Sequence, residues 1–289
     1  MELFTRWKRL WRRNKSGSER RQTGWSRQIL TEILADPAAL LPFVLIGFVA
    51  QMIDGALGMA FGQISSTILL SIGIPPAVSS AGVHTAETFT TAVSGISHVA
   101  HRNVDWQLFF RIAIPGILAG ITGAYVLTQV DASTAKPFVL AYLTALGLYL
   151  FYRGVMHRHT ERRPKVVEPL GAVGGFLDAA GGGGWGAIVT SNLLVQGSNP
   201  RKTIGTVNTA EFFLTVAISA TFLATLTLAG TAEHRELVFK AIVGLVIGGV
   251  LAAPFGAWIA KKVNPDLLLT FVGAVLTLTS AYGLYRALA

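Results

Sequence analysis

Cysteine is absent from this chain, and charged residues are scarce. Without cysteine there can be no disulfide bond, thiolate metal site or cysteine nucleophile. Charged residues make up 13% of the 289 residues, whereas hydrophobic residues make up 52% and the mean hydropathy is +0.53. A soluble protein carries about 25% charged residues. The sequence also lacks a Walker A motif, which excludes an ATP-driven cycle in this chain. The composition predicts a membrane protein.

Long apolar runs stand where charges are missing. A helix needs roughly 17–25 mostly apolar residues to cross a bilayer, and it satisfies its backbone hydrogen bonds internally, as lipid requires. Eight runs have a suitable length: 39–58, 76–99, 107–129, 136–153, 168–184, 205–228, 238–260 and 266–286. We therefore predict an all-α integral membrane protein with eight full spans.

Two further apolar segments, 61–73 and 185–197, are short for a crossing, because each has 13 residues. We predict that they are broken or re-entrant segments that enter the bilayer without crossing it. If both cross instead, the chain has ten spans and its two halves are inverted.

The two halves of the chain are related in sequence. Residues 47–91 match residues 171–215 at a constant offset of 124 without a gap, and the match resumes at an offset of 133 near the end of each half. We predict two tandem homologous repeats of transmembrane helices, 39–153 and 168–289. An apolar chain built from two such halves is typical of a secondary transporter with its site between the repeats.

Basic residues are concentrated in the N-terminal tail and in the linker. Residues 1–27 hold nine Lys and Arg against two Glu, a local charge of +7. We predict that 1–38 is a basic amphipathic cytoplasmic tail lying on anionic lipid, with a disordered tail as the alternative. The basic linker 154–167 is also placed in the cytoplasm by the positive-inside rule, which requires an even number of crossings in the first repeat. No nucleic-acid partner is expected, because the charge abuts a membrane span.

A glycine-rich break follows the first helix of each repeat, within 52–62 and 176–186. Glycine lets the backbone leave helical geometry and approach a ligand closely, and such a break is tolerated at membrane depth where it lines a polar cavity. The freed N–H groups at the start of a half-helix would bind an anion; close helix packing is the alternative. The candidate substrate-binding glycines are Gly58, Gly62, Gly182, Gly183, Gly184 and Gly186.

A polar stripe lies on a later helix of each repeat. His84 and Glu87 share one helix face because they are three residues apart, and Asn208 and Glu211 repeat the pattern. An ionisable group inside a span is costly and points to function; a carboxylate that only locks two helices together is the alternative. With the aspartates of the two breaks, the candidate coupling residues are Asp54, Glu87, Asp178 and Glu211.

The two short segments carry hydroxyl and amide side chains that would ligate an oxyanion. The alternative is that each hydroxyl bonds to a carbonyl of its own helix. These candidate substrate contacts are Ser65, Ser66, Thr67, Thr190, Ser191 and Asn192.

No lysine or arginine lies in the middle of a predicted span. An anionic substrate would therefore rely on backbone N–H groups, helix dipoles, hydroxyls, amides and His84. Carboxylates repel an anion unless they are protonated or bind a cation, so we expect protons as the coupling ion. Burial away from water favours a neutral carboxyl group. We expect neither a metal site nor a cofactor.

The sequence resembles the TauE/SafE sulfite exporter family, also called the toluene sulfonate uptake permease family, over 39–286. The matching features are the duplicated glycine-rich first helix, a G-x-x-P connection that ends at Pro76 and Pro200, and a T-A-E stretch that adds Thr85 and Thr209 to the substrate contacts. Together these features are fairly specific for the family and not specific for its substrate.

The resemblance implies a secondary transporter, not an enzyme, in the bacterial inner membrane. Its substrates would be sulfite, sulfoacetate or related organosulfonates, exported with the help of an ion gradient. The chain departs from the family pattern in one respect: the first break has fewer glycines than the second, and Asn208 stands opposite His84 in the alignment. The two half-sites are therefore not equivalent. Association into a homo-oligomer is left open.

The sequence leaves three other functions open. A transporter of another small solute, such as a cation held by the four carboxylates, is the nearest alternative. A passive anion channel differs from a carrier because it cannot accumulate its anion uphill. An intramembrane aspartyl hydrolase would use Asp54 and Asp178, but the duplication explains both residues and the sequence G-x-G-D is absent.

Overall fold

The computed structural model describes residues 37–57, 59–156, 164–228, 235–259 and 265–288, which are helical with no β-strand among them. Gly58, the predicted tail helix and much of the predicted linker lie outside these ranges. The helices are α1 (Leu41–Leu57), α2 (Phe61–Ser71), α3 (Pro76–Ala100), α4 (Trp106–Gln129), α5 (Ala132–Val155), α6 (Glu168–Gly181), α7 (Ser191–Val195), α8 (Pro200–Leu228), α9 (Arg235–Ile259) and α10 (Pro265–Leu288). A π-helical turn, Gly186–Thr190, runs directly into α7.

Among the described residues, four helices are long and apolar enough to cross a membrane: α4, α5, most of α8 and most of α10. Shorter apolar stretches lie in α1 and α9. Large apolar side chains stand out from the helices, with Ile96 and Phe138 each 72% exposed, and a large apolar surface of this kind is suited to contact with lipid. The chain is a multi-pass membrane protein, and the number of its crossings stays a prediction.

Local sequence signals set the helix ends. Pro76 and Pro200 begin α3 and α8, where the missing N–H would have had no partner inside the helix. Gly73 and Gly197 precede them with φ of +96° and +93°, a conformation that ends a helix at little cost for glycine. The Asp105 carboxylate caps α4 by accepting from the N–H groups of the second and third helical residues.

Helices at corresponding positions of the two halves pack in antiparallel directions. Between α3 and α8, Asn208 Nδ2 donates to Ser94 Oγ at 3.3 Å. Just past the end of α3 and nearer the start of α8, Lys202 Nζ donates to the Arg102 carbonyl oxygen at 2.8 Å. Residue numbers therefore rise along α3 as they fall along α8.

The helices α5 and α10 also run antiparallel, and they touch backbone to backbone. A Cβ built on Gly147 would lie 2.6 Å from the Thr277 nitrogen, and one built on Gly154 would lie 2.6 Å from the Thr270 nitrogen. Glycine at these positions permits the close approach of the two helices.

Aromatic rings anchor the two short segments in the apolar core. Trp185, at the end of the second break, is fully buried and packs in a cluster with Ile112 and Leu214. Phe61, its counterpart at an offset of 124, is 2% exposed and lies in a second cluster with Leu245. Each short segment therefore begins at a fixed point inside the helical bundle.

Candidate functional site

Each break places an aspartate against the start of the short segment that follows. In the second half, the Trp185 N–H donates to Asp178 Oδ1 at 2.8 Å. In the first half, the Phe61 N–H makes a longer contact of 3.5 Å with Asp54 Oδ1. N–H groups at a helix start carry partial positive charge and stabilise a carboxylate there. The protein's own carboxylates thus occupy the N–H groups that the sequence predicted for an external anion.

Three glycines shape the second break. Gly182, Gly183 and Gly184 have φ of +72°, +139° and +154°, which side chains with a Cβ rarely adopt. Two of their carbonyls face donors from elsewhere: Ser66 Oγ donates to the Gly182 oxygen, and the Tyr142 hydroxyl donates to the Gly183 oxygen at 3.2 Å. The break is therefore fastened to α2 and to α5.

The first break makes a similar turn with fewer glycines. Ala60 aligns with Gly184 and has a φ of +108°, a conformation that is strained for a residue with a Cβ. Next to it, Met59 Sδ accepts a hydrogen bond from Ser191 Oγ at 3.7 Å. Because it has fewer glycines, the backbone of the first break has less conformational freedom than that of the second.

The two breaks meet at Gly62 and Gly183. A Cβ built on Gly62 would lie 2.9 Å from Gly183 Cα and 2.8 Å from Glu87 Oε1, so a larger side chain would force them apart. The Gly62 N–H also donates to the Glu87 carboxylate. The start of α2 is therefore held by a carboxylate from α3, at the point where the two halves touch.

His84 is hydrogen-bonded at both ring nitrogens, once to the other half of the protein and once to its own helix. Its side chain is fully buried, with Nε2 3.0 Å from Asp178 Oδ2 and Nδ1 2.7 Å from the Ser80 carbonyl oxygen. Ser80 Oγ donates in turn to the Ala179 carbonyl oxygen at 2.8 Å. These bonds fasten α3 to the end of α6.

The charged groups of the site are four carboxyl groups and one imidazole. Asp54, Glu87, Asp178 and Glu211 are 6%, 4%, 1% and 6% exposed. Glu211 interacts electrostatically with the other three carboxyl groups, and such interactions are strong where water is excluded. The imidazole of His84 cannot balance four carboxylates, so the site is short of positive charge.

Asn208 does not repeat the role of His84. Its Nδ2 bonds to Ser94 on α3, and its Oδ1 is buried with no hydrogen-bond partner among the described residues. Within the described part of the chain, no basic side chain forms an ion pair with Asp54. Asp178 is paired with a base and Asp54 is not, so the two half-sites differ.

The polar residues predicted on α2 face the other half of the protein. Ser66 bonds to the second break, and Thr67 Oγ1 lies 3.4 Å from Ser280 Oγ on α10. Ser65 Oγ is buried without a partner in the described ranges. The hydroxyl of Ser65 thus differs from the other two, which each have a partner in the other half.

Several other predicted contacts bond to carbonyls of their own helix, which is the alternative that the sequence had left open. Ser191 and Asn192 donate to the carbonyls four residues earlier, as do Thr85 and Thr209. These groups hold helix geometry in this conformation. The π-helical turn contains the remaining two candidates, Gly186 and Thr190, and both are buried.

Two site residues escaped the sequence analysis. Ser80 lies four residues before His84 on the same helix, and this spacing could have revealed it. Tyr142 lies on α5, outside the matched parts of the repeats, and no sequence signal distinguishes it from the aromatic residues that face lipid.

A crevice of about 360 Å³ lies between α4, α5 and α6, with Tyr142 in its lining. Its lining includes Phe138 and Leu177 and is almost entirely apolar, so it does not suit a small anion. Within the described residues, no group of three or more His, Asp or Glu could hold a metal ion.

Comparison with known proteins gives the family. A family model described as sulfite exporter TauE/SafE matches residues 43–283. The chain is 40% identical over 250 residues to the probable membrane transporter protein YtnM of Bacillus subtilis (strain 168), covering 84% of this chain and 81% of that protein. It is 22% identical over 111 residues to sulfite exporter TauE/SafE family protein 3 of Arabidopsis thaliana, covering 38% of this chain and 23% of that protein. The chain therefore belongs to the TauE/SafE sulfite exporter family and is a membrane transporter.

Proposed function

We propose that this chain is a proton-coupled secondary transporter that exports sulfite or a small organosulfonate, with its site where the two breaks meet. The observation that carries the proposal is the cluster of four buried carboxyl groups and one imidazole at the starts of the two short segments. Helix starts attract anions, but carboxylates repel them. An anion therefore enters this cluster together with protons that neutralise the carboxyl groups.

The helix directions support inverted repeats. The helix α3 runs antiparallel to α8, and α5 runs antiparallel to α10, so these two helices of the first repeat point opposite to their counterparts in the second. Inverted repeats with the site at their interface are common among secondary transporters. This arrangement favours the inverted alternative over the one that placed both the N-terminal tail and the linker in the cytoplasm.

Transport assays with carboxyl-to-amide variants test the proposal. Sulfite, sulfoacetate and sulfate flux would be measured in proteoliposomes with an imposed pH gradient, for the wild type, Glu87→Gln and Glu211→Gln. An amide keeps the size of the side chain but cannot exchange a proton, so we expect gradient-driven sulfite or sulfonate flux to fall by about tenfold or more. Glu168→Gln is the matched control, since Glu168 is exposed in an ion pair with Arg111.

The outcomes separate the candidate functions. Flux of the wild type that ignores the pH gradient would contradict proton coupling. Equilibration of the anion without accumulation would indicate a passive channel. No flux of the three anions would turn the search to other solutes, with cations first because four carboxyl groups face a single base.

A further inference from the structure

The Asp178 carboxylate is held in the way that an oxyanion would be held. One oxygen accepts from the Trp185 N–H at 2.8 Å, and the other lies 3.0 Å from His84 Nε2. The two donors point at one small group, and the imidazole is positively charged when it is protonated. Such a pair suits any anion that carries two oxygens on one central atom. Sulfite and sulfonate anions present three oxygens and can span the same two donors.

The hydrogen bonds of His84 fix its protons. The Ser80 carbonyl oxygen can only accept, so the Nδ1 facing it at 2.7 Å carries a hydrogen. One further proton lies between Nε2 and Asp178 Oδ2, and with it the pair is neutral overall. His84 is therefore the one positive partner that the described site offers to an anion, and Asp178 already occupies it.

We propose that the Asp178 carboxylate occupies the substrate site when no substrate is bound. It accepts hydrogen bonds from His84 and from the Trp185 N–H, and an incoming oxyanion displaces it from both donors. The inference rests on the proposed function and names the half-site that binds the substrate. Asp54, the corresponding residue of the other half, has no basic partner among the described residues. We therefore expect no such displacement at Asp54.

The exchange links one proton to each anion. When the oxyanion takes the Nε2–H of the His84 imidazolium and the Trp185 N–H, the displaced carboxylate is left beside a second negative charge. A hydronium ion from the bulk solution then gives one proton to a carboxylate oxygen of Asp178, so that one of its O–H bonds breaks and neutral water is left. No bond other than this O–H forms, and a monovalent anion and its proton enter without net charge.

The groups around His84 leave no other basic partner for the anion. Glu87 faces it from the same helix, and Asp178 faces it from α6. Asp54 from α1 and Glu211 from α8 interact with Glu87, while α2 contributes no titratable side chain. Tyr142 from α5 interacts electrostatically with Asp178 as well, but a phenol brings no positive charge. His84 is thus the one basic group among these described neighbours, so a proton must accompany the anion.

Beside Asp178 and His84 lies a carboxylate oxygen that has no hydrogen-bond donor among the described residues. Glu87 is 4% exposed, and one of its oxygens accepts from the Gly62 N–H at the contact with Gly183. The other oxygen, Oε2, is buried with no hydrogen-bond partner in the described part of the chain. A buried acceptor without a donor is costly, and it fits a ligand that brings a proton.

Binding to the Asp178→Asn variant tests the displacement. Methanesulfonate, sulfoacetate and sulfite would be titrated calorimetrically into the purified full chain at pH 8. The amide can still accept from the Trp185 N–H but brings no charge that competes with the anion. We expect the variant to bind at least one of the three about tenfold more tightly than the wild type, with Glu168→Gln on the same helix unchanged. Weaker or unchanged binding by the folded variant would show that Asp178 is a fixed anchor.

Proton counting on the wild type provides a test that needs no variant. Methanesulfonate stays ionised at neutral pH, so its binding heat in buffers of different ionisation enthalpy gives the protons taken up by the protein. We expect one per anion, and none would overturn the exchange even if Asp178→Asn fails to fold. If oxyanion flux in the wild type follows the pH gradient but methanesulfonate binding takes up no proton, this inference alone fails. If it neither binds nor transports any oxyanion tested, the proposed function fails as well.

Discussion

Ala60 carries a Cβ at a φ of +108° where its counterpart in the second half is Gly184. Removing such strain raises the free energy of unfolding by about 1–3 kcal/mol. The greater backbone entropy of glycine in the unfolded chain lowers it by about 0.5–1 kcal/mol. We therefore expect Ala60→Gly to stabilise the purified protein by about 1 kcal/mol in thermal or denaturant unfolding.

Ala113→Gly is the control for this change. Ala113 is 2% exposed inside helix α4, where glycine costs about 1 kcal/mol. If both variants lose stability equally, the backbone at Ala60 is not strained.

A contact between two particular residues can be predicted from this sequence only where both halves of the chain contain it. The alignment puts Asp54 and Asp178 at corresponding positions, and each accepts from the N–H seven residues later. The bond from His84 to Asp178 spans 94 residues and joins the two halves. Because Asn208 replaces the histidine in the other half, no internal match could have revealed it.

The packing of α5 on α10 depends on glycines that admit no side chain. A Cβ on Gly147 would lie 2.6 Å from the backbone nitrogen of Thr277, so the two helices must separate. We expect Gly147→Ala to destabilise the protein by about 1–3 kcal/mol, measured by its unfolding midpoint in detergent.

Gly283→Ala is the matched control on the same pair of helices. Its Cβ would lie 3.2 Å from the end of the Leu140 side chain, which can move. An equal loss from both variants would mean that helix separation is not the cause.

Helix positions were largely predictable, whereas helix directions were not. The predicted span 136–153 lies inside α5 (Ala132–Val155), and 205–228 lies inside α8 (Pro200–Leu228), because apolar runs and flanking prolines mark such helices. Direction depends on how many segments turn back inside the bilayer. The 13-residue segments are too short for composition to decide that number.

For the molecule as a whole, inverted repeats place the N-terminal tail and the linker on opposite sides of the membrane. The chain has no native cysteine, so single variants Ser18→Cys and Lys165→Cys can be labelled with an impermeant maleimide in oriented vesicles. We expect the two sites to react from opposite sides. Reaction from the same side would restore the parallel arrangement.

A transport barrier at the contact between Gly62 and Gly183 would determine how membrane voltage acts on transport. The helix α2 has 11 residues and is about 16 Å long, roughly half of the hydrocarbon thickness. In a carrier whose barrier is this thin contact, most of the potential falls across it, at about 2.3 kcal/mol per unit charge for 100 mV. A proton and a monovalent anion that cross together feel none of this energy. A divalent anion that crosses with one proton carries one net negative charge, so the full energy acts on it. The charge of the substrate would then decide whether the membrane voltage drives export.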